Sequence, residues 1–214
     1  MYIIGSDECG YGSWAGPLYV CAYVAEEGWS VPGLNDSKEL TALERQEVYG
    51  RLDVNQSVLI SVEPQTIDEF GLGRCLVRAH TQAITQMLER GFGGARIVVD
   101  GSLRLPLAEA ESIPKADATV PVVMAASIIA KCNRDLLMKT LHRQYPVYGF
   151  ASHVGYGTPE HMAALRVYGP CALHRMSYRP LKQIVQDRLA ANLPPFAGVT
   201  PAESEGVVHP VVED

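Results

Sequence analysis

Two short apolar runs that each end in an acidic residue restrict the fold of this chain more than any other feature. The first, Ile3–Asp7, continues into Glu8 and a glycine-rich stretch, and the second, Arg96–Asp100, is followed directly by Gly101. Such runs bounded by glycine are typical of buried strands. If both strands lie in one sheet and point the same way, the acids emerge at the same edge, the usual place for a site in an open α/β sheet.

The residues after the first run are ordered as they would be in a binding site. Asp7 and Glu8 are followed by Gly10, Gly12 and Gly16. Glycine lets the backbone adopt angles that other residues resist and lie close against a ligand. The alternative is that the acid pair only solvates a turn, which is the commonest role of such a pair.

The size of the chain and its apolar content predict one domain with a tail. Of its 214 residues 47% are hydrophobic, so we expect a single domain over residues 1–192. Residues 193–214 contain four prolines and no lysine or arginine, which predicts a flexible acidic tail. No apolar run approaches the roughly 18 residues that span a membrane, and the N-terminus lacks the basic start of a signal peptide. We therefore expect a cytoplasmic protein.

The five cysteines are widely scattered and never spaced as C-x-x-C. They predict neither a disulfide framework nor a zinc site, and we expect reduced packing residues. Cys9 lies beside Glu8, but no activating base is identifiable near it, so a nucleophilic role is disfavoured.

Charge is distributed unevenly along the chain. The net charge is −6, yet residues 128–182 contain eight Lys or Arg and two acids. This asymmetry favours a polyanion bound at one face with acidic metal ligands elsewhere. The alternative is a run of solvated basic residues.

Periodicity and capping signals predict the remaining elements. Thr41 and Glu44 have the capping-box spacing that begins a helix. Ser127, Lys131 and Asp135 form a polar row at spacing four. This row either faces a site or is exposed to solvent, with Lys131 and Asp135 as an ordinary helix ion pair. The predicted strands are Leu18–Val24, which we expect to pair with the first, and Ser57–Val62. The predicted helices run from Thr41 to about Leu52, over Arg74–Arg90, over Ala125–Gln144 and from Thr158 to near Gly169.

Six blocks together closely resemble the type 2 ribonucleases H, over roughly Ile3 to Leu181. The blocks, in this order, are GSDECGYGSWAGPL, NDSKEL, VVDG, PKADATVPVVMAASIIAKCNRD, YGFASHVGYGTPEH and GPCALHRMSY. The resemblance implies an α/β fold of the ribonuclease H type, a mixed sheet flanked by helices with a helical C-terminal part that binds substrate.

The resemblance also implies a metal-dependent activity. The family's four acidic ligands fall on Asp7, Glu8, Asp100 and Asp135. They would hold two Mg²⁺ or Mn²⁺ ions, since hard cations prefer oxygen ligands. The implied reaction is cleavage of RNA in an RNA–DNA hybrid, or of a lone ribonucleotide in duplex DNA, leaving a 3′-hydroxyl and a 5′-phosphate.

Substrate contacts follow from the same resemblance, with one departure. The family tyrosine that helps to distinguish ribose from deoxyribose falls on Tyr156, and the family's Gly-Arg-Gly loop is Gly10-Tyr11-Gly12 here. Tyrosine lacks the charge and donors of a guanidinium, so we expect cleavage with altered preference at the RNA-to-DNA junction. The candidates for phosphate contacts are Lys38, Lys131 and Arg175.

Two other functions are compatible with these residues. A resolvase-like DNA nuclease of the same general fold would cleave without a 2′-hydroxyl, and a non-catalytic hybrid-binding protein would not cleave at all. The presence of all four acids disfavours the second. The tail is a possible binding segment for a replication partner, and nothing in the sequence demands more than a monomer.

Overall fold

A computed structural model describes residues 1–194 and 196, and it contains one five-stranded mixed sheet. The tail predicted over residues 193–214, with its possible replication partner, lies almost entirely outside the described residues. The strands are β1 (Tyr2–Cys9), β2 (Leu18–Glu26), β3 (Ser57–Val62), β4 (Arg96–Asp100) and β5 (Ala110–Ile113).

The sheet has the order β3-β2-β1-β4-β5. β2 pairs with β1 and β3 in the antiparallel sense, whereas β4 is parallel to both β1 and β5. The predicted pairing of the first two strands and the shared direction of the two acid-bearing strands are therefore confirmed. In the β1–β4 register, Ser6 lies opposite Val99, so the next residues along, Asp7 and Asp100, leave the sheet side by side.

Helices cover both faces of the sheet. The helices of the described residues are α1 (Ala42–Tyr49), α2 (Pro64–Phe70), α3 (Leu72–Met87), α4 (Pro121–Gln144), α5 (Phe150–His153), α6 (Pro159–Tyr168) and α7 (Arg179–Ala190). α3 packs on the face that carries Ile4, and α4 packs on the face that carries Cys9. A Cβ at Gly5 would lie 2.5 Å from the backbone of Val122, so glycine there lets α4 lie directly against β1.

The C-terminal part packs around the second half of α4. Tyr148, Phe150, Leu165 and Leu181 are buried together with Met138 of α4. This helical part confirms the fold predicted from the resemblance. None of the helices in the described part of the chain is long and apolar enough to cross a membrane. All five cysteines are buried and free, as expected of packing residues.

Candidate active site

The acidic residues of β1 and β4 open into one cleft at the end of the sheet. Successive side chains of a strand alternate between the two faces, so Asp7 faces α4 and Glu8 faces α3. Asp100 reaches the same cleft from the end of β4. The residues that line the cleft are Asp7, Glu8, Cys9, Gly10, Tyr11, Gly12, Ser37, Lys38, Arg45, Asp100, Ser127, Lys131 and Tyr156.

Asp7 is the most deeply buried of these carboxylates, with 4% of the residue exposed. Burial and the neighbouring charges of Glu8 and Asp100 raise its pKa to about 8, although hydrogen bonds from the Ser127 hydroxyl and from the Glu8 N–H act in the opposite direction. Ser127 is itself held 2.8 Å from the hydroxyl of Ser37. A cation in the cleft would offset the charge that burial makes costly here.

Glu8 lies against a buried histidine of α3. Its Oε2 is 3.4 Å from Nε2 of His80, a residue with no exposed surface. On the other side of the ring, Nδ1 lies 2.8 Å from Oγ of Ser6. The distance between Glu8 and His80 falls within ion-pair range, yet no atom of the described residues completes a well-oriented hydrogen bond with Nε2.

Asp100 has a second carboxylate behind it. Burial and the charge of the nearby Asp117 raise the pKa of Asp100, while the Asp117 N–H donates to Oδ1 of Asp100 at 3.4 Å. Asp117 is buried and pairs with the ammonium group of Lys38. Burial alone would lower the pKa of Lys38, but the hydrogen bond and the charge of Asp117 raise it to about 12. Lys38 therefore neutralises Asp117 at the rim of the cleft.

Asp135 is the fourth predicted ligand, and it lies farther along α4. Its Oδ1 accepts from Nζ of Lys131 at 2.8 Å, so two residues of the predicted polar row form an ion pair. Two residues of the same row, Ser127 and Lys131, also line the cleft. Asp135 is not among the described residues that line the cleft. Burial raises the pKa of Cys9, and the charges of Asp135 and Asp7 act in the same direction, so both carboxylates lie near that residue.

Arg175 does not lie where a phosphate contact requires, which corrects its predicted role. The residue is fully buried. Its guanidinium donates to the carbonyl of Gly16 through Nε and Nη2 and to the carbonyl of Tyr11 through Nη1. Nη1 also donates to the hydroxyl of Tyr178. Arg175 thus anchors the loop between β1 and β2 from beneath.

Arg134 anchors the same loop from α4. It is fully buried and donates to the carbonyls of Pro17, Ala15 and Val154 at 2.9–3.0 Å. The Trp14 N–H also donates to the carbonyl of Gly155 at 2.8 Å. The loop of the glycine-rich motif and the segment around residue 155 therefore form one unit. Because Arg134 and Arg175 are buried, only six of the eight basic residues counted in residues 128–182 contribute to the surface charge.

Tyr11 and Tyr156 carry the exposed aromatic surface of the cleft. The exposed fractions are 49% for Tyr11 and 36% for Tyr156. The guanidinium carbon of Arg134 lies 5.6 Å from the ring centre of Tyr156. The carbonyl of Tyr156 accepts from Nδ1 of His161 at 2.9 Å. The tyrosine predicted to touch ribose is thus held at its backbone and under its ring.

The donor set fits a hard divalent cation in kind and in charge. The cleft offers carboxylate oxygens and no exposed thiol, and oxygen ligands suit Mg²⁺ and Mn²⁺. In the part of the chain that the structure describes, no three His, Cys, Asp or Glu side chains are drawn together closely enough to hold a metal as they stand. The carboxylates of Asp7, Glu8 and Asp100 would hold the ion, with Asp135 joining them once it is released from Lys131.

Sequence reasoning missed two residues of this site. His80 and Asp117 were not singled out, although both are buried behind a predicted ligand. Asp117 belongs to one of the six family blocks, and that block is the signal that would have found it. His80 gave no such signal, since a lone histidine within an apolar helix face is usually a packing residue.

A mixed sheet with helices on both faces and carboxylates at the ends of adjoining strands defines an enzyme of the ribonuclease H-like fold. The crystal structure of ribonuclease H2 from Pyrococcus horikoshii OT3 superposes with a TM-score of 0.70 at 25% identity, over 87% of this chain and 98% of that chain. A structure of Bst-RNase HIII in complex with Mn²⁺ superposes with a TM-score of 0.68 at 18% identity, over 87% of this chain and 70% of that chain.

Sequence comparison narrows this class to one family. The ribonuclease HII family model matches residues 4–180. The ribonuclease HII of Acidovorax sp. (strain JS42) is 39% identical over 190 residues, which is 88% of this chain and 90% of that protein. The chain belongs to the ribonuclease HII family. It is therefore a metal-dependent endoribonuclease of the kind that acts on RNA–DNA hybrids.

Proposed function

We propose that this enzyme cleaves both the RNA strand of hybrids and single ribonucleotides in duplex DNA by two-metal-ion hydrolysis, leaving a 3′-hydroxyl and a 5′-phosphate. One observation carries the proposal: the carboxylates of Asp7, Glu8 and Asp100 line the same cleft as the exposed ring of Tyr156. A phosphodiester laid across the acids would bring its ribose beside that ring.

The carboxylates orient the reacting groups. When bound, a pair of Mg²⁺ or Mn²⁺ ions would supply activation of a water and stabilisation of the leaving oxygen. Asp7 would hold the metal together with Glu8 of its own strand and Asp100 of the next strand, since all three line the cleft. Burial disfavours the charged form of Asp7 and so raises its pKa. A cation held beside the carboxylate would favour the anionic form again.

Recognition of ribose would come from two sides of the cleft. Tyr156 offers its ring and hydroxyl on one side, and the backbone N–H groups near Gly10 and Gly12 offer donors on the other. A 2′-hydroxyl both donates and accepts, which separates RNA from DNA. Lys38 and Lys131 are the proposed phosphate contacts, since both line the cleft and carry positive charge.

Cleavage assays on three substrates test the proposal. A DNA duplex with one ribonucleotide, a long RNA–DNA hybrid and an all-DNA duplex are each incubated with Mg²⁺ and separately with Mn²⁺, and Asp7→Asn is the control. We expect cutting of the first two substrates, on the 5′ side of the lone ribonucleotide, and none by the variant. Cutting of the all-DNA duplex would instead favour a resolvase-like nuclease, and no cutting at all would favour a non-catalytic hybrid-binding protein.

A further inference from the structure

The loop after β1 contains a tight turn whose central peptide unit lies at the cleft. The Ser13 N–H donates to the carbonyl of Gly10 at 3.3 Å, so Tyr11 and Gly12 are the two central residues of a β-turn. The direction of the central peptide distinguishes type I from type II turns, and type II requires a positive φ at the third residue. The φ of Gly12 is not positive, but glycine can adopt either form. The turn residues alone therefore leave this peptide able to flip.

Two side chains of the C-terminal part hold the peptide in one direction. Nη1 of Arg175 and the hydroxyl of Tyr178 both donate to the carbonyl of Tyr11, at 3.1 Å and 2.7 Å. Nη1 of Arg175 also donates to the Tyr178 oxygen at 2.7 Å. Because a guanidinium can only donate, the single proton of the Tyr178 hydroxyl is left for the Tyr11 carbonyl. A flipped peptide would lose both of the hydrogen bonds that this carbonyl accepts.

The same contacts set the direction of the Gly12 N–H. The peptide between Tyr11 and Gly12 is trans, so its N–H points opposite to its carbonyl and away from Arg175 and Tyr178. Among the described residues no backbone carbonyl accepts from this N–H, and the space beside the Gly12 Cα is open. Gly12 lines the cleft, so its N–H is a donor that a ligand there can use.

We propose that Tyr178 is a positioning residue for ribose recognition, whose hydroxyl keeps the Gly12 N–H directed at the 2′-hydroxyl of the substrate. Tyr178 is not among the described residues that line the cleft, so it acts through the turn and not by touching substrate. Arg175 is also bound to the carbonyl of Gly16, whereas the Tyr178 proton serves the Tyr11 carbonyl alone. This inference rests on the proposed function, because it assigns a ribose to the cleft.

Tyr178→Phe tests the hydroxyl without removing the ring, which packs among apolar side chains. Tyr2→Phe is the matched control, because it removes the hydroxyl of a partly exposed tyrosine at the far end of β1. The wild type and both variants are measured for affinity by fluorescence anisotropy in the presence of a chelator. The two ligands are a DNA duplex with one ribonucleotide and the same duplex made entirely of DNA. The melting temperature of each protein is recorded alongside.

We expect Tyr178→Phe to bind the duplex with one ribonucleotide about threefold to tenfold more weakly, the range of one weakened hydrogen bond, and to bind the all-DNA duplex as the wild type does. Tyr2→Phe should keep both affinities. A wild-type ratio of the two affinities in Tyr178→Phe would overturn the inference, including the case in which both fall equally with the melting temperature. If the wild type itself binds the two duplexes equally, the proposed recognition of ribose fails and this inference with it, so the wild-type ratio separates the two failures.

Discussion

His161 and His174 face each other through their Nε2 atoms, 3.0 Å apart, in the core of the C-terminal part. The Cys171 N–H donates to Nδ1 of His174, so the hydrogen of His174 lies on Nε2 and is donated to His161. His161 then donates from Nδ1 to the carbonyl of Tyr156. Two neutral rings thus connect the buried core to the residue that we propose beside the ribose.

This pair predicts a loss of stability on acidification. Burial lowers the pKa of His161 to about 4, and burial together with the charge of His161 lowers that of His174 to about 3. Below pH 6.5 the unfolded chain takes up protons that the folded protein refuses, so the free energy of unfolding falls as the pH falls from 6.5 toward 4. We expect His174→Asn, whose amide keeps the contact with Cys171, to make this slope shallower by up to about 1.4 kcal/mol per pH unit.

Urea unfolding at several pH values measures how the free energy of unfolding depends on pH in the wild type and in His174→Asn. All other titrating groups are shared by the two proteins, so they cancel in the difference. Parallel slopes for the wild type and His174→Asn would contradict the prediction.

Asp7→Asn is expected to stabilise the metal-free protein while abolishing cleavage. The folded-state pKa of Asp7 is raised to about 8, whereas in the unfolded chain the carboxyl titrates at its ordinary value of 3.8. Between these two pH values the unfolded chain releases a proton that the folded protein keeps. The contribution of Asp7 to the free energy of unfolding is therefore fully present below pH 3.8 and is lost as the pH rises to 8. The variant should therefore gain on the order of 3 kcal/mol over the wild type at pH 8 and little at pH 4. Chemical unfolding in the presence of a chelator measures the gain. The exposed Asp187→Asn is the control and should show no such pH-dependent gain.

Replacement of Arg134 by methionine should destabilise the fold by about 3 kcal/mol or more, because it leaves three buried carbonyls without donors. Arg134→Lys should not rescue it, since an ammonium group cannot reach three carbonyls as a planar fork does. Arg143→Met, on the exposed side of the same helix, is the matched control and should unfold at nearly the wild-type temperature. A small loss for Arg134→Met in thermal denaturation would show that the anchor is dispensable.

Tyr11→Arg should shift substrate preference without moving the loop. The side chain at position 11 is half exposed, and its carbonyl is held by Arg175 and by the hydroxyl of Tyr178. A guanidinium there adds a charge-assisted contact to phosphate, so we expect cleavage of a lone ribonucleotide to rise on the order of tenfold relative to a long hybrid. Tyr11→Phe keeps the ring without the charge and should retain the wild-type ratio. An unchanged ratio in Tyr11→Arg refutes the prediction.

The elements that sequence reasoning found were those with strong local signals. α1 and α6 were predicted from threonine caps, and both caps are present at Thr41 and Thr158. α3 and α4 were predicted from long apolar periodicity, although α4 begins at Pro121, four residues before the predicted start, and α3 spans Leu72–Met87 rather than Arg74–Arg90.

The elements that were missed lack such signals. α2 and α7 begin without a side-chain cap, and β5 is a four-residue edge strand. Burial is also invisible from the sequence: arginine is usually a surface residue, and only the four hydrogen bonds of the Arg175 guanidinium, to Gly16, Tyr11 and Tyr178, reveal where it lies. The acids of β1 and β4 were predictable because strand direction follows from the fold pattern, whereas the Lys131 partner of Asp135 was one of two alternatives that the sequence left open.

The two adjacent carboxylates at the end of β1 belong to opposite faces of the sheet, one beside Ser127 of α4 and the other beside His80 of α3. A slip of β1 by one residue against its neighbours would exchange the two faces. The acid now against α3 would then meet α4, and both would lose their partners. Correct registration of β1 is therefore a condition for forming the catalytic centre. A chain that pairs its first strand wrongly yields a protein without a site, not one with a weakened site.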